Sequence, residues 1–212
     1  MIDVRTVSRV VIATVLYYIV VVALLHFLQP DTDPVVSPLS AYVLTDSGAL
    51  MTTAYFVLAV SLIGLVVGLR LVLRPAIVST IGFILFSVAA VASATAGMFP
   101  SEQQLPPQTL SGIIHSASGA IVPLTLAAAV VLITLSVRRD VRWRGVIPPV
   151  TWLTVGIAIS TLLFPIMDPR GAGGLAQRVD LALVFAWMLV VAYEMPRIAT
   201  VMSTMPDHAV RP

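Results

Sequence analysis

The sequence predicts an all-α fold, a bundle of six transmembrane helices forming a single integral-membrane domain over residues 1–212. Three observations predict it. The chain is 58% hydrophobic and 10% charged, with a mean hydropathy of +1.02, whereas a soluble domain carries about 25% charged residues. No soluble core hides that much apolar surface, so lipid must be the solvent. Second, the apolar residues fall into six runs, each close to the ~20 residues that cross a ~30 Å hydrocarbon layer as a helix. Third, the arginines are distributed asymmetrically between alternate connections, as expected of a multi-pass chain.

The first run, 7–29, has Arg5 before it and Arg9 in its first turn, and stops at Pro30. It is too long for the apolar core of a cleaved signal and no A-x-A site follows it, so it is expected to stay as a helix. The second run, 48–69, opens on Gly48 and ends at Arg70; Arg74 then precedes the third, 76–99, which stops before Pro100. The fourth, 110–137, ends at "RRDVRWR", and the fifth, 146–167, stops at the Asp168–Pro169 pair. The sixth, 177–195, is followed by Arg197 and Arg211. A proline lacks the N–H that a helix needs and disfavours helix in the residue before it, which gives these stops a mechanism.

Ten of the twelve arginines lie at the chain termini or in the connections after the second and fourth runs. The other connections, 30–47, 100–109 and 168–176, hold only Arg170, and Arg178 stands at the mouth of the sixth run. By the positive-inside rule, both termini are expected in the cytoplasm and the protein in the cell (inner) membrane. The three Pro- and acid-rich loops would then face outward.

Composition also narrows function. There is no cysteine, which removes disulfides, thiolate catalysis and Cys-ligated metals. A net charge of +2 gives no argument for nucleic acid as a partner. The sequence contains no P-loop, no dinucleotide-binding glycine motif and no H-E-x-x-H. Neither a cofactor nor a metal is expected.

Ionisable groups inside a span mark candidate sites. His115 lies about five residues into the fourth run and Asp180 about as far into the sixth, roughly 7–8 Å deep at 1.5 Å per residue. Arg178 is two residues before Asp180, Gln177 precedes it, and Glu102 and Asp168 lie just outside neighbouring helices. His26 is near the end of the first run, where an interfacial side chain is expected. In "TLSGIIHSASGA", Ser111, His115 and Ser118 share one helical stripe, and Gly112, Ser116 and Ala120 form a small-residue ridge suited to close helix contact. The expected ligand-binding set is therefore Glu102, Ser111, His115, Gln177, Arg178 and Asp180, contributed by the third, fourth and sixth helices. The simplest pairings join His115 to Asp180, and Arg178 to Glu102 or Asp168.

These residues support two functional readings. In the first, the chain is a binding or accessory membrane subunit that recognises a membrane lipid or another integral membrane protein, with Arg178 meeting a phosphate or carboxylate. The alternative is a membrane-embedded enzyme acting on a lipid or lipid-linked substrate, with His115 as general base and Asp180 orienting it as the second catalytic candidate. Zinc held by His26, His115 and Asp180, haem between His26 and His115, and a Ser–His–Asp hydrolase are weaker, because the required spacings are missing.

"AGMFPSE", "SGIIHSASGA" and "GLAQRVDLALVFAW" resemble a pattern of the prokaryotic integral-membrane family catalogued as domain of unknown function 998. In that family an F-P-x-D/E segment ends the third helix, a G-x-x-H opens the fourth and a G-L-x-Q-R opens the last. Glu102 stands where the family often has aspartate. The resemblance covers about residues 10–195. It implies a six-helix fold and draws attention to Phe99, Pro100, Glu102, His115, Gln177 and Arg178; it implies no activity.

Overall fold

A computed structural model describes residues 3–102 and 106–204. It contains six long helices: α1 (Val4–Leu28), α2 (Gly48–Val72), α3 (Ile77–Met98), α4 (Leu110–Arg138), α5 (Ile147–Met167) and α6 (Gly173–Thr204). Three short 3-10 turns join them, at Leu39–Leu44, Val141–Val146 and Asp168–Arg170. All six helices are long and apolar enough to cross a membrane. The protein is a multi-pass membrane protein.

Each helix packs on the next, and α6 returns to α1, so the six close into a ring; α2 also meets α6 across it. The start of α1, the end of α6 and the arginine-rich connections lie at one end, called here the terminal end. The Pro- and acid-rich connections lie at the other, the loop end. The centre is filled by large side chains with no exposure, among them Met51, Phe86, Leu126 and Trp187. Valine and leucine on the outside are exposed, for example Val20, Val91 and Leu162, as lipid-facing positions must be.

Few polar groups enter this core; Trp143 Nε1 is buried there without a hydrogen-bond partner among the described residues, whereas a threonine and tryptophan cluster is paired. Trp187 Nε1 donates to Thr134 Oγ1 at 3.0 Å, and Thr134 and Thr154 share a 2.8 Å hydrogen bond. Thr154 spends its own proton on Val150 O, so Thr134 is the donor between the two threonines. This directed chain ties α6 to α4 and α5 without an ionic group. At the terminal end, Arg142 joins Asp140 and also donates to Val72 O at 2.9 Å, capping the end of α2. Burial alone would raise the Asp140 carboxyl, but the side-chain and backbone hydrogen bonds from Arg142 outweigh it and hold the group below its ordinary range.

Two helices, α1 and α6, differ from the sequence expectation for physical reasons. α1 starts at Val4 because Asp3 caps it, accepting from the amides of Arg5 and Thr6. α6 starts at Gly173 and runs to Thr204, passing through Pro196. A proline within a helix leaves the carbonyl four residues earlier without its donor. Here that carbonyl is Ala192 O, and Ser8 Oγ of α1 donates to it at 2.6 Å. A neighbouring hydroxyl thus replaces the missing amide and the helix continues.

Candidate functional site

The candidate residues sort into three clusters at the loop end rather than one. The first is built on the hairpin of α3 and α4. α3 stops because Pro100 has no N–H to give Ala96 O, its partner four residues back. His115 Nδ1 supplies the substitute, lying 3.0 Å from Ala96 O and 2.8 Å from Phe99 O. Because those acceptors are carbonyls, Nδ1 must carry a proton. The ring is buried, with the Tyr55 ring edge-on at 5.9 Å. One turn earlier, Ser111 Oγ donates to Pro100 O at 3.2 Å.

Glu102 completes this cluster by capping α4. Its carboxylate accepts from the amides of Gln108 at 2.7 Å and Thr109 at 3.1 Å, and from the Thr109 hydroxyl. The Thr109 hydroxyl is the largest of the influences that hold the Glu102 carboxyl below its ordinary range, followed by the Gln108 amide. Gly112 lies beneath it and lets the carboxylate approach closely: a Cβ there would sit 2.6 Å from the Glu102 carboxyl carbon. The expected ridge is therefore split. Gly112 packs inward, whereas Ser116 and Ala120 are exposed and join no helix. Ser118, expected on the polar stripe, is buried.

The second cluster gathers the start of α6, the end of α1 and the first loop. Gly174 N donates to Val36 O at 3.3 Å and Leu175 N to Val35 O at 2.9 Å, while Gln177 Oε1 accepts from Leu39 N at 2.8 Å. A Cβ at Gly174 would stand 2.3 Å from Ser37 O, so only glycine allows the loop this close. Arg178 then reaches over the seam. Nη1 donates to Ser37 O at 2.8 Å and Gly174 O at 3.0 Å, and Nε donates to His26 Nε2 at 3.1 Å. His26 Nδ1 lies 2.6 Å from Val22 O, so it holds the ring proton and leaves Nε2 to accept from the arginine. The guanidinium also lies 5.8 Å from the Tyr42 ring centre, and Nη2 has only a 3.5 Å contact to the Tyr42 hydroxyl.

The third cluster is Asp180 with α5. Its Oδ1 accepts from Ser160 Oγ and, at 2.9 Å, from Thr161 Oγ1. The Asp180 side chain is buried and, among the described residues, forms no ion pair.

The expected pairings therefore need correction. His115 does not meet Asp180, because the imidazole turns to the end of α3 while Asp180 turns to α5. Arg178 meets neither Glu102, which is spent on the start of α4, nor Asp168, which is exposed. Residues 178 and 180 are two apart, about 200° around a helix, and so face different neighbours. α6 packs chiefly against α1, α2 and α5; it meets the α3–α4 hairpin through Trp187, which bonds Thr134 and lies beside Phe86, and not through Arg178 or Asp180. A general base oriented by Asp180 finds no support in this arrangement. Among the described residues, no group of three or more His, Asp or Glu side chains could hold a metal ion, so His26, His115 and Asp180 form no ligand set.

Four contributors escaped the sequence reading: Ser37, Tyr42, Ser160 and Thr161. The last two carried a usable signal. An antiparallel hairpin pairs positions symmetric about its turn, and 160 and 180 are symmetric about Arg170. Tyr42, fully buried, offered only its aromatic ring within the loop segment Leu39–Leu44.

Over residues 11–194 the chain matches the model of a family described as protein of unknown function DUF998. The chain belongs to that family. No curated protein and no solved structure matches it. The fold therefore has to be interpreted from its own geometry. In this member of DUF998, Phe99, Pro100 and His115 belong to one cap, and Gly174, Gln177 and Arg178 to one loop-docking seam.

Proposed function

We propose that the protein is a membrane-embedded binding subunit whose loop end recognises the anionic headgroup of a membrane lipid, with Arg178 meeting the phosphate. One observation carries this reading: Arg178 is a part-buried cation whose acceptors are all neutral. A guanidinium has five N–H donors and keeps its charge in any protein environment. Three are used on Ser37 O, Gly174 O and His26 Nε2, and Nη2 retains its capacity beyond a long contact to Tyr42. An uncompensated arginine within a span costs about 2.5–3.5 kcal/mol at the bilayer centre, less toward the interface. Arg178 lies about 7.5 Å from the start of α6, within reach of headgroups. A phosphate on Nη2 supplies both the missing acceptor and the missing charge. The arginine asymmetry of the loops supports an outward orientation of this end.

The test uses the three histidines as reporters. Nitrogen-15 spectra of histidine-labelled protein are recorded in neutral detergent and titrated with short-chain phosphatidylglycerol, phosphatidylcholine or inorganic phosphate. Saturable movement of the His26 signals with phosphatidylglycerol, absent in Arg178→Gln, supports the reading. Equal movement with inorganic phosphate overturns the lipid assignment. No movement with phosphatidylglycerol, together with an acidic membrane protein that co-purifies with the wild type and is lost in Arg178→Gln, overturns it in favour of a partner carboxylate.

A further inference from the structure

A second feature lies on the opposite side of the bundle, toward the terminal end. A groove of about 510 Å³ crosses the lipid-facing side of α3, from Val66 and Arg70 on α2 to Ser118 and Ile121 on α4. Its floor runs from Thr80 to Thr95, a rise of about 22 Å at 1.5 Å per residue, which is most of a ~30 Å hydrocarbon layer. The hydroxyls along that floor are already spent. Thr80 donates to Ala76 O, Ser87 to Phe83 O and Thr95 to Val91 O. Apart from the Ser118 hydroxyl on the α4 wall, the groove thus offers almost no hydrogen bonding and suits hydrocarbon along its length.

Its terminal end is different. Arg70 is exposed and lies with its guanidinium carbon 5.8 Å from the Phe83 ring centre. Neither ion pair found among the described residues includes it. An arginine stacked on an aromatic face keeps its N–H edge directed outward for an anion. At the end of a spanning helix, this edge sits at the depth of lipid phosphates.

We infer that this groove is a binding site for an anionic glycerophospholipid of the leaflet at the terminal end, with one acyl chain lying along α3 and the phosphate on Arg70. The assignment rests on the coincidence of a chain-length apolar groove with an unpaired cation at one mouth. It does not depend on the Arg178 site, which faces the other leaflet.

The chain contains no cysteine, so a fluorophore can be placed at one engineered thiol. Ile84→Cys, at the groove edge, is labelled with bimane and reconstituted with lipids brominated in their acyl chains. Ile159→Cys on the exposed face of α5 reports the bulk bilayer. Brominated phosphatidylglycerol is expected to quench the groove label with an apparent affinity several-fold above that of brominated phosphatidylcholine, while the α5 label shows no preference. Arg70→Gln should bring the groove ratio to about one, and Arg70→Lys should retain part of it. A groove ratio near one in the parent protein, or a preference that survives Arg70→Gln, overturns the assignment. Since Arg70 is exposed, loss of folding in Arg70→Gln is not expected; should it occur, the parent and Arg70→Lys ratios decide alone.

Discussion

The role of His115 can be tested through the proline that creates the need for it. His115→Ala removes the donor from Ala96 O and Phe99 O, and Ala96 is buried. Interhelical hydrogen bonds in membrane proteins are worth about 0.6 kcal/mol on average and up to about 1.7. A buried acceptor left without a donor costs about 1–3 kcal/mol. The variant also loses the ring packed on Tyr55. Together these place the destabilisation at about 2–3 kcal/mol.

Pro100→Ala in the same background restores an N–H four residues after Ala96 and lifts the restriction that keeps Phe99 extended, at φ −112° and ψ 110°. α3 can then run on and satisfy Ala96 O itself. The double variant should recover about 1 kcal/mol relative to His115→Ala, whereas Pro100→Ala alone should gain little. A double-mutant cycle on reversible unfolding in mixed micelles measures the coupling. If the two substitutions are additive, the capping account is wrong. The same outcome would follow if His115→Ala were as stable as the parent, and the imidazole would then have to be explained by ligand chemistry.

Gly174→Ala should detach the first loop from α6, because the new methyl would stand 2.3 Å from Ser37 O and 2.7 Å from Pro34 O; a loss of about 1–3 kcal/mol with faster amide exchange at Leu39 is expected. Glu102 is held below its ordinary range when folded, so its cap is present above the unfolded glutamate value, about 4.3, and is lost as the pH falls through the folded value. Amide exchange at Thr109 should accelerate on acidification through that window, and Glu102→Gln should abolish the pH dependence. Ser8→Ala should cost about 0.6–1.7 kcal/mol by orphaning Ala192 O, and the cost should vanish when Pro196→Ala restores the helical donor.

The spans were legible in the sequence because lipid imposes one simple rule: a run of about twenty apolar residues closes its own backbone hydrogen bonds as a helix. That rule says nothing about which way a side chain points. His115 and Asp180 were expected at similar depth, and depth alone made them look like partners. What separated them was the ring order of the helices, which puts α5 next to α6 and brings the first loop and α1 to its start. The motif around Pro100 and His115 was visible as a pair of residues, but its meaning was not. Only the contact of Nδ1 with Ala96 O shows that the histidine replaces the amide the proline lacks. The same logic, unread in the sequence, links Pro196 to Ser8 across the whole chain.

Arg178 and Asp180 carry opposite charges two residues apart, and neither neutralises the other. Their environments are alike in one respect: both are met only by neutral partners, carbonyls and an imidazole for the cation, hydroxyls for the anion. They differ in what remains open to them. A carboxyl group in a low-dielectric layer can be satisfied by hydrogen bonds or by taking a proton. A guanidinium cannot give up its proton under any condition the protein meets, so hydrogen bonds alone leave its charge in place. The demand for an external counter-charge therefore falls on Arg178. This asymmetry makes the seam at the start of α6 the place to look for a ligand, and it gives Arg178→Gln and Asp180→Asn opposite expectations. Asp180→Asn keeps an oxygen to accept from Ser160 and Thr161 and should leave headgroup binding intact, whereas Arg178→Gln should remove it. Equal loss of binding in both variants would mean that the two charges act together, contrary to the separation of their clusters.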